Sequence, residues 1–217
     1  PAEVIETAWR ELPDGTPLGG LLAPIRRLDR EALELLIVEQ LAIRGLVRFA
    51  DEIVMPLATL IGDLWTIGDL PIAAEHLASE VVVHALKEGI RADQQWGPLV
   101  LAACLPGERH EWGFLSTLCQ VQRGGWQIRY LGTDLPLDEL VHAAWRVMPG
   151  AVALSVSDPE TCDQVMDELL ALPARLPPSV FASIGGAGIE GRKTALAAAG
   201  YRLGAESFAL LLPTMSR

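Results

Sequence analysis

Apolar residues recur with helical spacing over the first ninety-odd residues, where strand patterns are almost absent. The spacing predicts a helix after Asp29, which is a plausible N-cap, and another over residues 46–65 with a kink at Pro56. Gly68 ends that stretch, and Pro71 begins a further helix at a position where proline is tolerated. With a shorter helix over residues 18–28, these stretches predict a four-helix bundle joined by tight turns.

The pattern changes after residue 98, where apolar runs of five to seven residues alternate with amphipathic stretches. The runs predict strands at residues 99–104, 127–131, 151–157, 180–184 and, more weakly, 201–203. Helices are predicted at residues 111–123, 137–147, 160–172, 191–199 and 206–213. This alternation is typical of a doubly wound parallel sheet of the flavodoxin-like kind. The predicted fold is therefore all-α followed by α/β, with a helical bundle over residues 1–95 and a Rossmann-like domain with a five-stranded sheet over residues 96–217.

Composition and charge narrow the classes of function. The chain has 217 residues and a formal net charge of -11, so it repels a phosphate backbone and we expect no nucleic-acid binding by this chain alone. We expect no membrane association, because no apolar run is long enough to cross a bilayer. The first residues lack a secretion signal, and the three cysteines form no Cys-x-x-Cys pair. We therefore expect a cytoplasmic protein with reduced, mostly buried thiols.

The motif Glu108-x-His110-x-x-Gly113 follows the first predicted strand, at the strand end where open α/β sheets bind ligands. Glu108 can hold one ring nitrogen of His110 and leave the other for a metal. Gly113 allows the next helix to begin close to a flat ligand. These features predict that His110 is a metal ligand. The sequence contains no nucleophile–base pair, zinc spacing or phosphate loop, which favours a binding protein over an enzyme.

The motif resembles the Asp-x-His-x-x-Gly signature of cobalamin-binding domains. Two further elements are similar, Ser155-Val156-Ser157 after the third strand and Gly185-Gly186 after the fourth, although Ser157 stands where leucine is usual. The resemblance implies a Rossmann-like fold in which His110 is the lower axial ligand of cobalt. It also implies cofactor-binding positions at Glu108, Arg109, Gly113, Ser155, Ser157, Gly185 and Gly186. Either serine could hydrogen-bond the cofactor's nucleotide tail, and a Cβ at either glycine would collide with its planar base.

The helical half carries a second motif, because Trp65 is followed after nine residues by Glu75-His76. This spacing is similar to the Trp-x9-Glu-His pattern of cobalamin-dependent photoreceptors of the CarH kind, and the likeness covers about residues 16–212. The resemblance implies adenosylcobalamin between a helical cap and the Rossmann-like domain. Trp65 would pack on the adenosyl group, and Glu75 and His76 would line its pocket. Light would cleave the cobalt–carbon bond and change the assembly of a homo-oligomer.

The chain departs from that family in two respects, and two alternatives stay open. Thr66 stands where the repressors usually have a histidine that captures cobalt after illumination, which leaves His76 as the nearest upper-face candidate. The winged-helix DNA-binding domain of the repressors is not seen in this sequence. The chain is in that respect similar to photocobilins, which hold a bilin such as biliverdin beside the cobalamin. The other alternative is a corrinoid carrier for methyl transfer, although bulky Trp65 argues against the open upper face that a carrier needs.

Overall fold

The computed structural model describes residues 16–92 and 96–209. The chain divides into two compact units that adjoin in sequence between Ala92 and Asp93. The first unit is helical, and the second is built around a parallel sheet.

The helical unit contains the four predicted helical stretches. Its elements are α1 (Pro17–Arg27), α2 (Arg30–Arg44), α3 (Leu46–Phe49), a π-helical turn (Ala50–Val54), α4 (Met55–Thr66) and α5 (Ile72–Ala92). The predicted N-cap is confirmed, because a carboxylate oxygen of Asp29 accepts the backbone N–H of Ala32 at 3.1 Å. The side chains of Leu33, Ile37, Leu57 and Leu86 form part of the buried core, as their helical spacing predicts.

A π-helical turn stands where the sequence predicts a kink. The turn ends at Val54, and the N–H of the next residue, Met55, donates to the carbonyl of Ala50, five residues earlier. Pro56 follows directly. Proline has no N–H, and its ring crowds the carbonyl four residues earlier in a regular α-helix. The wider turn just before Pro56 lets α3 continue into α4 without a break in helical structure.

The second unit has the predicted five-stranded parallel sheet, with the flavodoxin-like order β2-β1-β3-β4-β5. Its strands are β1 (Leu99–Cys104), β2 (Gln127–Tyr130), β3 (Ala151–Ser155), β4 (Phe181–Gly185) and β5 (Arg202–Leu203). Its helices are α6 (Trp112–Arg123), α7 (Leu137–Val147), α8 (Pro159–Gln164), α9 (Met166–Arg175), a 3₁₀ segment (Ala187–Arg192), α10 (Lys193–Ala198) and α11 (Glu206–Ala209).

Two predicted helices and one predicted strand differ from the structure. The stretch predicted as one helix over residues 160–172 is broken at Val165, whose backbone is not helical (φ -116°, ψ 15°). The helix predicted over residues 191–199 begins earlier, as the 3₁₀ segment that precedes α10. The strand predicted to reach residue 157 ends at Ser155. The N–H of Ser157 donates to the carboxylate of Glu108 instead of to a neighbouring strand. The last predicted helix extends beyond the described residues.

The predicted burial of the three cysteines is confirmed. Cys104, Cys119 and Cys162 form no disulfide, and all three are buried. Within residues 16–92 and 96–209, no helix has both the length and the apolar character that crossing a bilayer requires.

Candidate functional site

The candidate site lies at the carboxyl ends of the central strands. β1 pairs with β2 on one side and β3 on the other, so the chain changes direction across the sheet at β1. Open α/β sheets bind ligands at this type of switch point. The last residues of three neighbouring strands are in register there, since Cys104 pairs with Ser155 and Ser155 pairs with Gly185. His110 belongs to the loop over residues 105–111, which connects β1 to α6.

Glu108 is the buried anchor of that loop, with 1% of its surface exposed. Its Oε1 accepts the backbone N–H of His110 at 2.7 Å and lies 2.7 Å from Nδ1 of the same imidazole. Its Oε2 accepts the backbone N–H groups of Ser157 and, at 3.3 Å, Asp158. One carboxylate therefore joins the loop after β1 to the loop after β3.

The charge of Glu108 determines which ring nitrogen of His110 is available. Burial alone would raise the pKa of the Glu108 carboxyl, but the hydrogen bonds from the backbone of Ser157 and from His110 outweigh it and lower the pKa. An ionised carboxylate only accepts hydrogen bonds, so Nδ1 of His110 carries the proton. In the neutral imidazole the free electron pair is then on Nε2, on a side chain with 78% of its surface exposed.

Residues of β2 and its following loop also hold the His110 loop, and sequence reasoning did not select them. Asp134 Oδ1 accepts the N–H of Gly107 at 2.8 Å, and the N–H of Asp134 donates to the carbonyl of Glu108 at 3.2 Å. The hydroxyl of Tyr130 donates to Glu111 at 2.7 Å. Burial raises the pKa of Tyr130, as do its contacts with Cys104 and Glu111, so the phenol stays protonated and able to donate. Both residues lie within residues 16–212, the range over which the chain resembles the photoreceptor family.

Gly185 is the last residue of β4 and Gly186 follows it, and the two glycines differ in what a side chain would meet. Gly186 has φ +101°, and a Cβ there would lie 2.1 Å from the carbonyl oxygen of Val156. A Cβ at Gly185 would meet nothing within 4 Å. We expected a Cβ at either position to collide with a ligand; at Gly186 the collision is with the chain itself. Open space beside the backbone remains only at Gly185 of this pair, and it is the space that a flat ligand could use.

The difference between the two glycines gives a paired prediction. We expect Gly186→Ala to lower the free energy of unfolding by about 2 kcal/mol, because it combines a left-handed φ with a backbone clash. We expect Gly185→Ala to leave unfolding unchanged within about 0.5 kcal/mol. Urea denaturation followed by circular dichroism measures both. Equal stability of the two variants would contradict the assignment of Gly186 to chain packing.

The other residues predicted to contact the cofactor lie at the same edge of the sheet as His110, and their exposure to solvent differs. Ser155 is buried at the end of β3, and its carbonyl accepts the N–H of Leu105 at 3.1 Å. Ser157 is half-buried, with its N–H held by Glu108. Arg109 and Gly113 are exposed, one beside His110 and one in the first turn of α6. The structure thus brings the predicted residues of the α/β unit to one edge of the sheet, while their roles as ligands stay predictions.

The three predicted residues of the helical unit flank one turn. Trp65 lies in the last turn of α4 and has 54% of its surface exposed. Glu75 and His76 lie in the first turn of α5, with Glu75 Oε2 at 3.4 Å from His76 Nε2. The short connection between the helices places all three at one end of the helical unit. The hydroxyl of Thr66 donates to the carbonyl of Gly62 at 2.8 Å, which engages it within its own helix.

The site suits a metal ion that a cofactor already holds by most of its ligands. Among the described residues, no group of three or more His, Cys, Asp or Glu side chains is placed to hold a metal ion. A single imidazole is a poor site for a bare ion, which needs several protein ligands. His110 offers one nitrogen, oriented through Glu108, at the same edge of the sheet as the open space at Gly185. Cobalt in a corrin needs only an axial ligand from the protein, so these residues fit that cofactor.

Comparison with protein families supports cobalamin binding. Residues 19–88 match the family model of a B12 binding domain, a range that contains Trp65, Glu75 and His76. The chain is 29% identical over 183 residues to the HTH-type transcriptional repressor CarH of Myxococcus xanthus, covering 82% of this chain and 58% of that protein. It is 35% identical over 113 residues to the repressor CarA of the same organism, covering 50% of this chain and 39% of that protein. The chain thus spans about half the length of these relatives.

Solved structures support the fold. The monomethylamine corrinoid protein of Methanosarcina barkeri is similar with a TM-score of 0.57 and 19% sequence identity, over 90% of this chain and 97% of that one. At this level of identity the likeness concerns architecture.

Proposed function

We propose that this chain is a light-sensing, cobalamin-binding domain in which His110 would ligate the cobalt. The pairing of Glu108 with His110 is the main support for His110 as the cobalt ligand. A buried, ionised carboxylate fixes the tautomer at Nδ1 and leaves Nε2 exposed for coordination. The match of residues 19–88 to a B12 binding domain and the likeness to CarH support the same ligand.

The α/β unit contributes orientation. Because Glu108 also holds the N–H groups of Ser157 and Asp158, the imidazole is tied to the loops after both β1 and β3. A carboxylate behind the ring fixes its orientation and restricts its rotation. Ser155 and Ser157 would hydrogen-bond the nucleotide tail of the cofactor, and the open space at Gly185 would admit its flat base.

The helical unit would recognise the adenosyl group of the cofactor. The exposed indole of Trp65 offers a large flat surface on which adenine can stack. Glu75 and His76 lie in the first turn of the next helix, where a carboxylate can accept hydrogen bonds from ribose hydroxyls. Bound adenosylcobalamin would supply a cobalt–carbon bond that light cleaves. Loss of the adenosyl group would free Trp65 and Glu75 from these contacts, and we propose that self-association of the chain changes as a result.

Absorbance spectroscopy of the loaded protein tests this function. Protein loaded with adenosylcobalamin should change its visible spectrum under green light, and its elution volume in size-exclusion chromatography should change with it. A spectrum that green light leaves unchanged would contradict light sensing. A spectral change without any change in elution volume would retain photochemistry and reject assembly as the signal. A red-absorbing band that survives removal of cobalamin would show that a bilin also binds.

The alternative is a corrinoid carrier for methyl transfer, which the architecture shared with the Methanosarcina barkeri corrinoid protein allows. Trp65 discriminates between the two functions. We expect Trp65→Ala to weaken binding of adenosylcobalamin by about tenfold, the value of one stacked aromatic contact, and to spare methylcobalamin. Trp96→Ala is the matched control, because that indole is 99% exposed and lies outside both motifs. Equal losses for both cofactors at Trp65 would favour the carrier.

A further inference from the structure

Asp134, in the segment that follows β2, forms two hydrogen bonds with the turn just before His110. Asp134 Oδ1 accepts the N–H of Gly107 at 2.8 Å. The backbone N–H of Asp134 donates to the carbonyl of Glu108 at 3.2 Å. Two hydrogen bonds of opposite sense thus connect one residue to two successive residues of the His110 loop. Neither of these two hydrogen bonds belongs to a helix or to the pairing of strands, so the secondary structure alone does not require the arrangement.

The backbone of Asp134 is held in an uncommon conformation at this contact. Its φ is +54°, in the left-handed region that few residues other than glycine occupy, although Asp and Asn are enriched there. Gly107, its partner, has φ +80°. Strained backbone of this kind persists where the surrounding structure determines it and is frequent at functional sites. Gly132, two residues earlier, ties the same segment to the sheet, because its carbonyl accepts the N–H of Cys104 at 3.0 Å.

A second contact, from the end of β2 itself, holds the other side of the loop. Tyr130, the last residue of β2, donates its hydroxyl to Glu111 at 2.7 Å. His110 lies between the two points of attachment, with Glu108 held from one side and Glu111 from the other. The backbone that carries the imidazole is therefore fixed before any ligand arrives. Preorganisation of this kind raises affinity because less ordering is needed on binding.

We infer that Asp134 is a positioning residue for His110. Its carboxylate and its backbone N–H set the Gly107–Glu108 turn, and the turn sets the direction in which Nε2 of His110 points. The inference rests on the proposed function, because it assigns Asp134 to coordination of cobalt through His110. Outer-shell partners of metal-binding histidines typically change affinity by about 10–100-fold.

Two variants of Asp134 and one matched control test the inference. Asp134→Ala removes the acceptor for Gly107, whereas Asp134→Asn keeps an oxygen acceptor and tolerates the left-handed backbone. Asp138→Ala removes an exposed carboxylate four residues away, where Asp138 pairs with Arg175. Each protein is made with nitrogen-15 histidine, loaded with cobalamin, reduced to the cobalt(II) form and examined by electron paramagnetic resonance for histidine coordination. Hydrogen exchange of the Gly107 amide is measured in the unloaded proteins.

We expect Asp134→Ala to bind cobalamin about tenfold more weakly, to lose histidine coordination in part and to exchange the Gly107 amide faster. Asp134→Asn should restore all three properties, and Asp138→Ala should match the unaltered protein. Histidine coordination in Asp134→Ala equal to that of the unaltered protein would overturn the inference, as would an unchanged Gly107 amide. If the unaltered protein shows no histidine coordination, the proposed function itself fails, which separates the two outcomes.

Discussion

Replacing His110 by alanine is expected to weaken cobalamin binding at least about tenfold while leaving the fold intact. The side chain is 78% exposed, so its removal should leave no cavity and should cost the unloaded protein little beyond the hydrogen bond from Nδ1 to Glu108, about 1.5–3 kcal/mol. Glu108 would still accept the backbone N–H groups of residue 110, Ser157 and Asp158. The loss would therefore come from the missing axial ligand. Absorbance titration with aquocobalamin measures the affinity.

His142→Ala provides the control for that experiment. His142 is also an exposed histidine of the α/β unit, and its Nδ1 lies 3.8 Å from Glu139. It lies on α7, outside the loop after β1, and should bind cobalamin like the unaltered protein. Equal affinities for His110→Ala and the unaltered protein would mean that the imidazole does not ligate the cofactor.

Replacing Glu108 by glutamine should have the largest effect on stability. The carboxylate is buried, and every polar group that contacts it is an N–H donor. An amide would direct its own NH₂ at one of those donors and would weaken hydrogen bonds that gain from the negative charge. We expect a loss of about 3 kcal/mol in the free energy of unfolding, based on about 1.5–3 kcal/mol for each hydrogen bond to a charged group. Urea denaturation of the unloaded protein measures it.

Glu139→Gln is the matched control for Glu108→Gln. Glu139 also lies beside a histidine, but both side chains are exposed, and pairs of that kind contribute little. We expect its stability to change by less than about 0.5 kcal/mol. In the loaded protein, Glu108→Gln should also lower cobalamin affinity by about 10–100-fold, because the ring tautomer of His110 is no longer fixed. A Glu108→Gln protein as stable as Glu139→Gln would contradict the account of the buried carboxylate.

The alternation of apolar runs and amphipathic stretches was sufficient to predict a five-stranded parallel sheet of the flavodoxin-like kind. Each strand of β1, β3 and β4 is buried on both faces, and this gives the continuous apolar runs that parallel sheets require. The break at Val165 was missed because the apolar spacing continues from α8 into α9 while the backbone does not. Helical periodicity reports which face is buried and carries no information on one non-helical residue.

The contacts that support His110 depend on which loops are neighbours in space. The pairing of Glu108 with His110 is local, two residues apart, and the motif predicts it. The bonds from Glu108 to Ser157 and Asp158 join residues about fifty positions apart and follow only from the adjacency of β1 and β3. The same holds for Asp134, whose role depends on β2 lying on the other side of β1. The ligand roles of Ser155 and Ser157 stay predictions.

Nitrogen isotope labelling shows whether a histidine of this chain coordinates the cobalt of bound cobalamin. Protein made with nitrogen-15 histidine is loaded with cobalamin, reduced to the cobalt(II) form and examined by electron paramagnetic resonance. The axial nitrogen splits each cobalt line, into a triplet when it is nitrogen-14 and a doublet when it is nitrogen-15. We expect doublets in the labelled protein and their loss in labelled His110→Ala. Triplets in the labelled protein would show that the cofactor keeps its own base on cobalt, and would contradict the assignment of His110.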